Sequence, residues 1–374
     1  MARGIDGLES ELLFRRGGPL EQQRPIDYLA AREPVYARLL ELLQDAMRGE
    51  ASTRLAAAWS EREFHSSYER PLMLLAGLRY DALSDIGAHP LHAALAQTPP
   101  DPATATADAL AAALSAARTR FWSAVRERAV QTNETARAVA WLWPLSLLAS
   151  AGEQRAVVLI DLGASAGLNL IADALPAVWS DADGAPVPVA PRLEVVLRIG
   201  FDLAPVDVSD EDAACWLRAC VWPSDAARLA RLDQAIACFR ASSTQPNAPQ
   251  LVACGLSDVP ARLDELPREP LIVCVQSIVR DYLPAAERER YEREMRAFLQ
   301  RRPRAALWLE LELDPAWKTS PTASVALTAR FAAAGGAIRE LVLARTTAHP
   351  QQLLVDDDAV TMLQSALVVP PRRT

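Results

Sequence analysis

The chain has 374 residues, 51% of them apolar, and a formal net charge of -8, enough material for two hydrophobic cores or one large core with a helical annex. The acidic balance argues against general nucleic-acid binding, because phosphate backbones are held by basic surface, and no apolar run approaches the roughly 20 residues of a membrane span. Lys318 is the one lysine, which leaves no convincing P-loop and no Schiff-base lysine for pyridoxal phosphate.

Residues 1–10 carry charges and no apolar signal core, so a cytoplasmic location is expected. From about residue 5 to 150 the chain is rich in Ala, Leu and Arg at helical spacing. Val35, Leu39, Leu42, Leu43 and Ala46 form one apolar stripe; Leu110, Leu114, Ala117, Phe121 and Val125 form another. This pattern predicts an all-helical region over 1–135, in which a long helix runs from about Ala107 to Val130. His89 and His92 have no third ligand nearby and read as loop residues. The five cysteines form no C-x-x-C pair, which suits reduced thiols without disulfides or structural zinc.

The character changes at Arg155. β-like runs at 156–161, 193–201, 250–254, 271–276, 305–311 and 338–345 alternate with helical stretches near 168–174, 210–219, 224–240, 285–301 and 322–334. The alternation predicts a second, α/β domain over 136–374, with a mostly parallel sheet covered by helices on both faces. The stretch 338–355, broken at His349-Pro350, reads as an antiparallel edge hairpin.

Val157-Val158-Leu159-Ile160-Asp161-Leu162-Gly163-Ala164-Ser165-Ala166-Gly167-Leu168-Asn169-Leu170 combines a buried strand, an acid at its carboxyl end and a turn of tiny residues opening a helix. Ligands of open α/β sheets bind beyond the carboxyl ends of the strands. Gly163 and Gly167 permit close approach, and Asp161 offers a negative charge to an ammonium group. The acidic-hydrophobic-Gly-x-x-x-Gly order resembles motif I of the class I S-adenosylmethionine methyltransferases. More closely, residues 161–170, together with Gln131-Thr132-Asn133-Glu134, 202–207, Val221-Trp222-Pro223 and 277–284, resemble a bacterial domain-of-unknown-function family.

The resemblance implies a Rossmann-like methyltransferase fold preceded by the helical region, S-adenosylmethionine as cofactor, and a small molecule or a protein as methyl acceptor. It would gather Asp161, Gly163, Ala164, Ser165, Gly167 and Asn169 around the cofactor, joined by Gln276 and Ser277 from the strand at 271–276. Two departures stand out: Ser165 replaces a preferred Gly of the methyltransferase motif, and Gln276 stands where the bacterial family commonly has His. Asp202, after the second strand, is expected at the ribose. Asp258, after the third, is expected near the adenine, although Val259-Pro260 equally suits a helix start. Gln131, Thr132, Asn133 and Glu134 are expected to complete the site, with Thr132 or Asn133 alternatively capping the following helix.

Methyl transfer needs no nucleophile from the enzyme; where a base is required, Asp281, Tyr282 and Glu310 are the candidates. Glu310, Glu312 and Asp314 alternate with leucines, so one side of their strand is polar and faces either substrate or solvent. Two rival readings remain: a methyltransferase-fold protein that binds without catalysis, and a serine hydrolase. Gly163-Ala164-Ser165-Ala166-Gly167 matches the hydrolase G-x-S-x-G elbow, with Asp314 and His349 following in order. That rival lacks the strands such an elbow needs before it.

Overall fold

The structure, a computed structural model, describes residues 32–47, 49–62, 64, 69–317 and 319–368, with the side chain of Asp281 excluded. Lys318 lies outside the described residues. The chain divides into two compact units.

The first unit, Met1–Thr132 with Ser209–Asp233, has helices and no strand among its described residues. The helices Pro34–Ala46, Glu69–Ser84, Thr119–Glu127 and Glu211–Ala219 bury Leu39, Leu74, Phe121 and Trp216 in one core. The long helix expected from Ala107 is two helices, Ala107–Ala113 and Thr119–Glu127. Between them the Ser115 carbonyl accepts from Arg118 N at 3.1 Å and from the Trp122 indole at 3.0 Å, and Leu114 stays buried across the break.

The second unit comprises Asn133–Val208 and Gln234–Thr374. Its strands are β1 (Val157–Leu162), β2 (Ser180–Asp181), β3 (Val195–Asp202), β4 (Gln250–Ala253), β5 (Leu271–Ser277), β6 (Ala306–Leu313), β7 (Val325–Ala332), β8 (Ile338–Thr346) and β9 (Gln352–Val355). Among the described residues they form one sheet in the order β2-β9-β8-β7-β6-β5-β1-β3-β4. The ladders from β4 to β6 are parallel, and those from β6 to β9 are antiparallel. The hairpin of β8 and β9 lies where the sequence placed it. The stretch 322–334, expected as a helix, is instead strand β7. Its alanines suit a helix locally, but the segment is paired on both edges and nearly all buried, and tertiary pairing overrides so weak a preference.

Numbered among themselves, the five parallel strands follow the doubly wound order 3-2-1-4-5. The strand order therefore reverses between β1 and β5, and open α/β sheets bind their ligands beyond the carboxyl ends at such a point. Helix Val139–Ser150 packs on one sheet face with Val157, Leu159, Val273 and Leu309. Helix Ala285–Arg301 covers the other through Tyr291, Met295 and Phe298, against Val158, Ile160 and Trp308.

β3 lies close under the turn that follows β1. A Cβ on Gly200 would come within 2.7 Å of both Ala164 Cβ and Leu251 Cδ2. Gly200→Ala should therefore lower stability by about 1–3 kcal/mol through overpacking, measured by chemical denaturation; an unchanged midpoint would show that the turn yields freely.

Candidate functional site

The turn after β1 is built from left-handed residues: Gly163 has φ 79°, Ser165 φ 50° and Gly167 φ 68°. Four of its amides are already engaged. Gly163 N and Ala164 N both donate to Phe201 O, and Gly167 N donates to Ala164 O. Ser165 N donates to Asp202 Oδ2 at 2.8 Å. Ala204 N donates to the other oxygen of Asp202, also at 2.8 Å. Asp202, expected at the ribose, thus ties the turn to the end of β3, although each carboxylate oxygen keeps a second lone pair.

Side-chain alternation along the strands sorts the sequence candidates by face. Asp161 shares the face of Val157 and Leu159, which pack on helix Val139–Ser150. Ser277 follows Val273 and Val275 on that same face. Gln276 follows Ile272 and Cys274, while Glu310 and Glu312 follow Trp308, all toward helix Ala285–Arg301.

On the Asp161 face, polar groups remain open. Asp161 is only 3% exposed, and its Oδ2 has no hydrogen-bond partner among the described residues. Burial first, and the Asp202 carboxylate second, push its pKa up to about 7. Asn169 Oδ1 is likewise buried without a partner, while the Asn169 carbonyl accepts from the Trp141 indole at 3.0 Å. Asn133 Nδ2 donates to Ser165 Oγ at 3.1 Å. Glu134, rather than Thr132 or Asn133, caps the following helical segment, its Oε1 accepting from Ala136 N at 3.1 Å. An anionic group at that helix start would therefore meet an amide already capped by a carboxylate. Gln131 and Thr132 belong to the first unit.

On the opposite face the polar groups satisfy one another. Gln276 Oε1 accepts from Tyr291 Oη at 2.6 Å and Trp308 Nε1 at 3.1 Å; its Nε2 donates to Glu312 Oε1 at 2.7 Å. The same oxygen of Glu312 accepts from Val279 N at 2.9 Å and fastens the loop after β5. Burial raises the Glu312 pKa. Glu310, 1% exposed, pairs with Arg280 through Oε1 at 2.7 Å and with Arg330 through Oε2. The polar side of β6 is thus buried, and a guanidinium–carboxylate and amide network occupies it. Glu310 is held as an ion-pair partner and Gln276 as a structural bridge, both across the sheet from Asp161.

Of the remaining candidates, Tyr282 is 51% exposed in the loop after β5, and the side chain of Asp281 lies outside those described. Asp258 is exposed, makes no cap bond and pairs with Arg290 at 3.6 Å. Sequence reasoning left Glu312 unassigned and paired His349 with Ser165. In the structure Asp314 is bound to Arg345 and His349 to Glu134, so the Asp–His pairing of a hydrolase is not formed. Among the described residues no strand precedes β1.

The model of a family described as an uncharacterized protein conserved in bacteria (DUF2332) matches residues 28–354, and the chain belongs to that family. No curated protein matches it. Among the described residues no helix is long and apolar enough to cross a membrane.

The raised pKa of Asp161 has a stability consequence. Between about pH 4 and about 7 the folded carboxyl retains a proton that the unfolded one has lost, so its contribution falls as pH rises through that window. Asp161→Asn should therefore be more stable relative to the parent at pH 8 than at pH 4, in thermal unfolding at both pH values. A difference that does not change with pH would mean that Asp161 ionises normally in the fold.

Proposed function

We propose that the second unit binds S-adenosylmethionine beyond the carboxyl ends of β1 and β3 and transfers its methyl group to a small-molecule or protein acceptor. The observation that carries this reading is the open, buried carboxylate of Asp161 at the reversal point of a doubly wound sheet. A buried acceptor without a partner costs about 1–3 kcal/mol or more when charged, and an ammonium or sulfonium ligand would remove that cost.

The same chemistry disfavours phosphate-bearing cofactors. Phosphate recognition at a βα turn uses free backbone N–H groups, and here Gly163, Ala164, Ser165 and Gly167 donate within the protein. Two neighbouring carboxylates, Asp161 and Asp202, would also repel a phosphate. The free lone pairs of Asp202 suit a ribose diol, at about 1.5–3 kcal/mol for such charge-assisted bonds.

A second reading, binding without transfer, is favoured by one observation: Glu310, the strand-borne base candidate, is held between two guanidinium groups.

Calorimetric titration with S-adenosylhomocysteine tests the site. Saturable binding is expected, weakened at least tenfold by Asp161→Asn and tightening as pH rises through about 7, where the carboxyl loses its proton. Around neutral pH the heat should depend on the buffer, because the ligand's ammonium displaces that proton. Asp202→Asn should weaken S-adenosylhomocysteine more than methionine, which lacks the sugar. Absence of saturable binding at millimolar ligand, or indifference to Asp161→Asn, would overturn the reading.

A further inference from the structure

Two consecutive residues join the turn after β1 to the connection after β8. Asn133 Nδ2 reaches Ser165 Oγ; the next residue, Glu134, reaches His349, its Oε2 lying 3.0 Å from Nδ1. Both β6 and β8 run antiparallel to β7, so β8 leaves the sheet at the same carboxyl edge as β1 and β5. His349 follows three residues after its end. The segment bearing Asn133 and Glu134 leads into helix Val139–Ser150, on the sheet face that Asp161 shares.

The connection that carries His349 is fastened at several points. Arg137 Nε donates to Ala348 O at 3.0 Å, Thr347 Oγ1 to His349 O at 2.9 Å, and Thr346 Oγ1 to Gln352 O at 2.7 Å. The Glu134 side chain is 1% exposed and that of His349 is 48% exposed. A carboxylate can only accept, so its partner Nδ1 carries the proton of the neutral imidazole and Nε2 keeps its lone pair. Nε2 has no hydrogen-bond partner among the described residues. A base oriented by a buried acid is the arrangement that general-base catalysis uses.

We propose that His349, oriented by Glu134, is the proton acceptor for the substrate of the second unit, a neutral hydroxyl or amine. The role rests on the cofactor reading given above. The acceptor's lone pair forms a bond to the methyl carbon as the carbon–sulfur bond breaks, and sulfur leaves as the neutral thioether of S-adenosylhomocysteine. The acceptor's proton passes to His349 Nε2, where the Glu134 carboxylate stabilises the imidazolium, and then to water. Glu134 acts as a positioning residue.

The full-length chain allows two readouts. Diethyl pyrocarbonate reacts with the free imidazole nitrogen, and mass spectrometry of the peptide containing His349 follows that reaction without any methyl acceptor. Glu134→Gln should slow this modification at least fivefold, since the oriented tautomer is lost. S-adenosylhomocysteine release from S-adenosylmethionine with a set of phenols and primary amines follows transfer. His349→Ala should lower it at least about 100-fold while S-adenosylhomocysteine affinity stays within twofold. Because Glu134 also caps a helix, His349→Gln, at a half-exposed position, repeats the transfer test if Glu134→Gln does not fold. Transfer by His349→Ala within twofold of the parent, or modification indifferent to Glu134→Gln, would overturn the dyad. A parent chain that binds no S-adenosylhomocysteine would instead overturn the cofactor reading, and with it this role for His349.

Discussion

A Cβ on Gly163 would lie 2.8 Å from Val279 Cγ2, and one on Gly167 would lie 2.7 Å from Leu251 Cδ2. The turn after β1 is therefore clamped between the loop after β5 on one side and β4 on the other, with no tolerance for a side chain at either glycine. Both glycines are also left-handed, so a substitution meets backbone strain as well as crowding. Everything at the carboxyl edge inherits its position from this clamp. The Phe201 carbonyl takes two turn amides, Asp202 takes a third, and Asp161 is held at the last buried level of the central strand. A site built on such elements is pre-organised, which lets binding energy go to recognition instead of ordering.

The two sheet faces treat buried charge in opposite ways. Toward helix Ala285–Arg301, Glu310 lies between Arg280 and Arg330, and Glu312 accepts from Gln276 and Val279. Breaking such a buried pair costs about 3–5 kcal/mol, because a charge is left uncompensated; these groups hold the loop after β5 and through it the turn. Toward helix Val139–Ser150, Asp161 has no cation beside it, and Asp202 adds repulsion. A fold that compensates acids on one face and leaves one open on the other has the polarity of a scaffold on the first and of a binding site on the second.

Much of the sheet was legible because its parallel strands are mostly apolar runs, with an acid near the end of β1 and of β3. Val157–Leu162, Val195–Asp202 and Leu271–Ser277 fall within two residues of expectation. β7 was hidden because Val325–Ala332 is rich in alanine and gains its strand character from partners on both edges. The helix Asp357–Leu367, capped by Asp356 through Ala359 N, was passed over for want of a long periodic stretch. Ser209–Asp233 also belongs to the helical unit, which chain order conceals. At the site, the position of Asp161 was readable from its place at a strand end. The separation of Gln276 and Glu310 from it was not, although the alternation of β5 and β6 contains that information once the faces are assigned. The partnership of Glu134 with His349 spans 215 residues of sequence and leaves no local signal.

Once the groups engaged within the protein are set aside, the candidates reduce sharply. The turn amides, Gln276, Glu310 and Glu312 have partners, and each maintains the clamp. Asp161 Oδ2, Asn169 Oδ1 and the second lone pairs of Asp202 are acceptors that remain open on the Asp161 face. Each of these would accept from a ligand N–H or O–H, such as an ammonium or a hydroxyl. Open buried acceptors at a rigid carboxyl edge thus say more about a ligand than the glycine pattern itself, because glycines at a βα turn are required by the clamp whether or not anything binds.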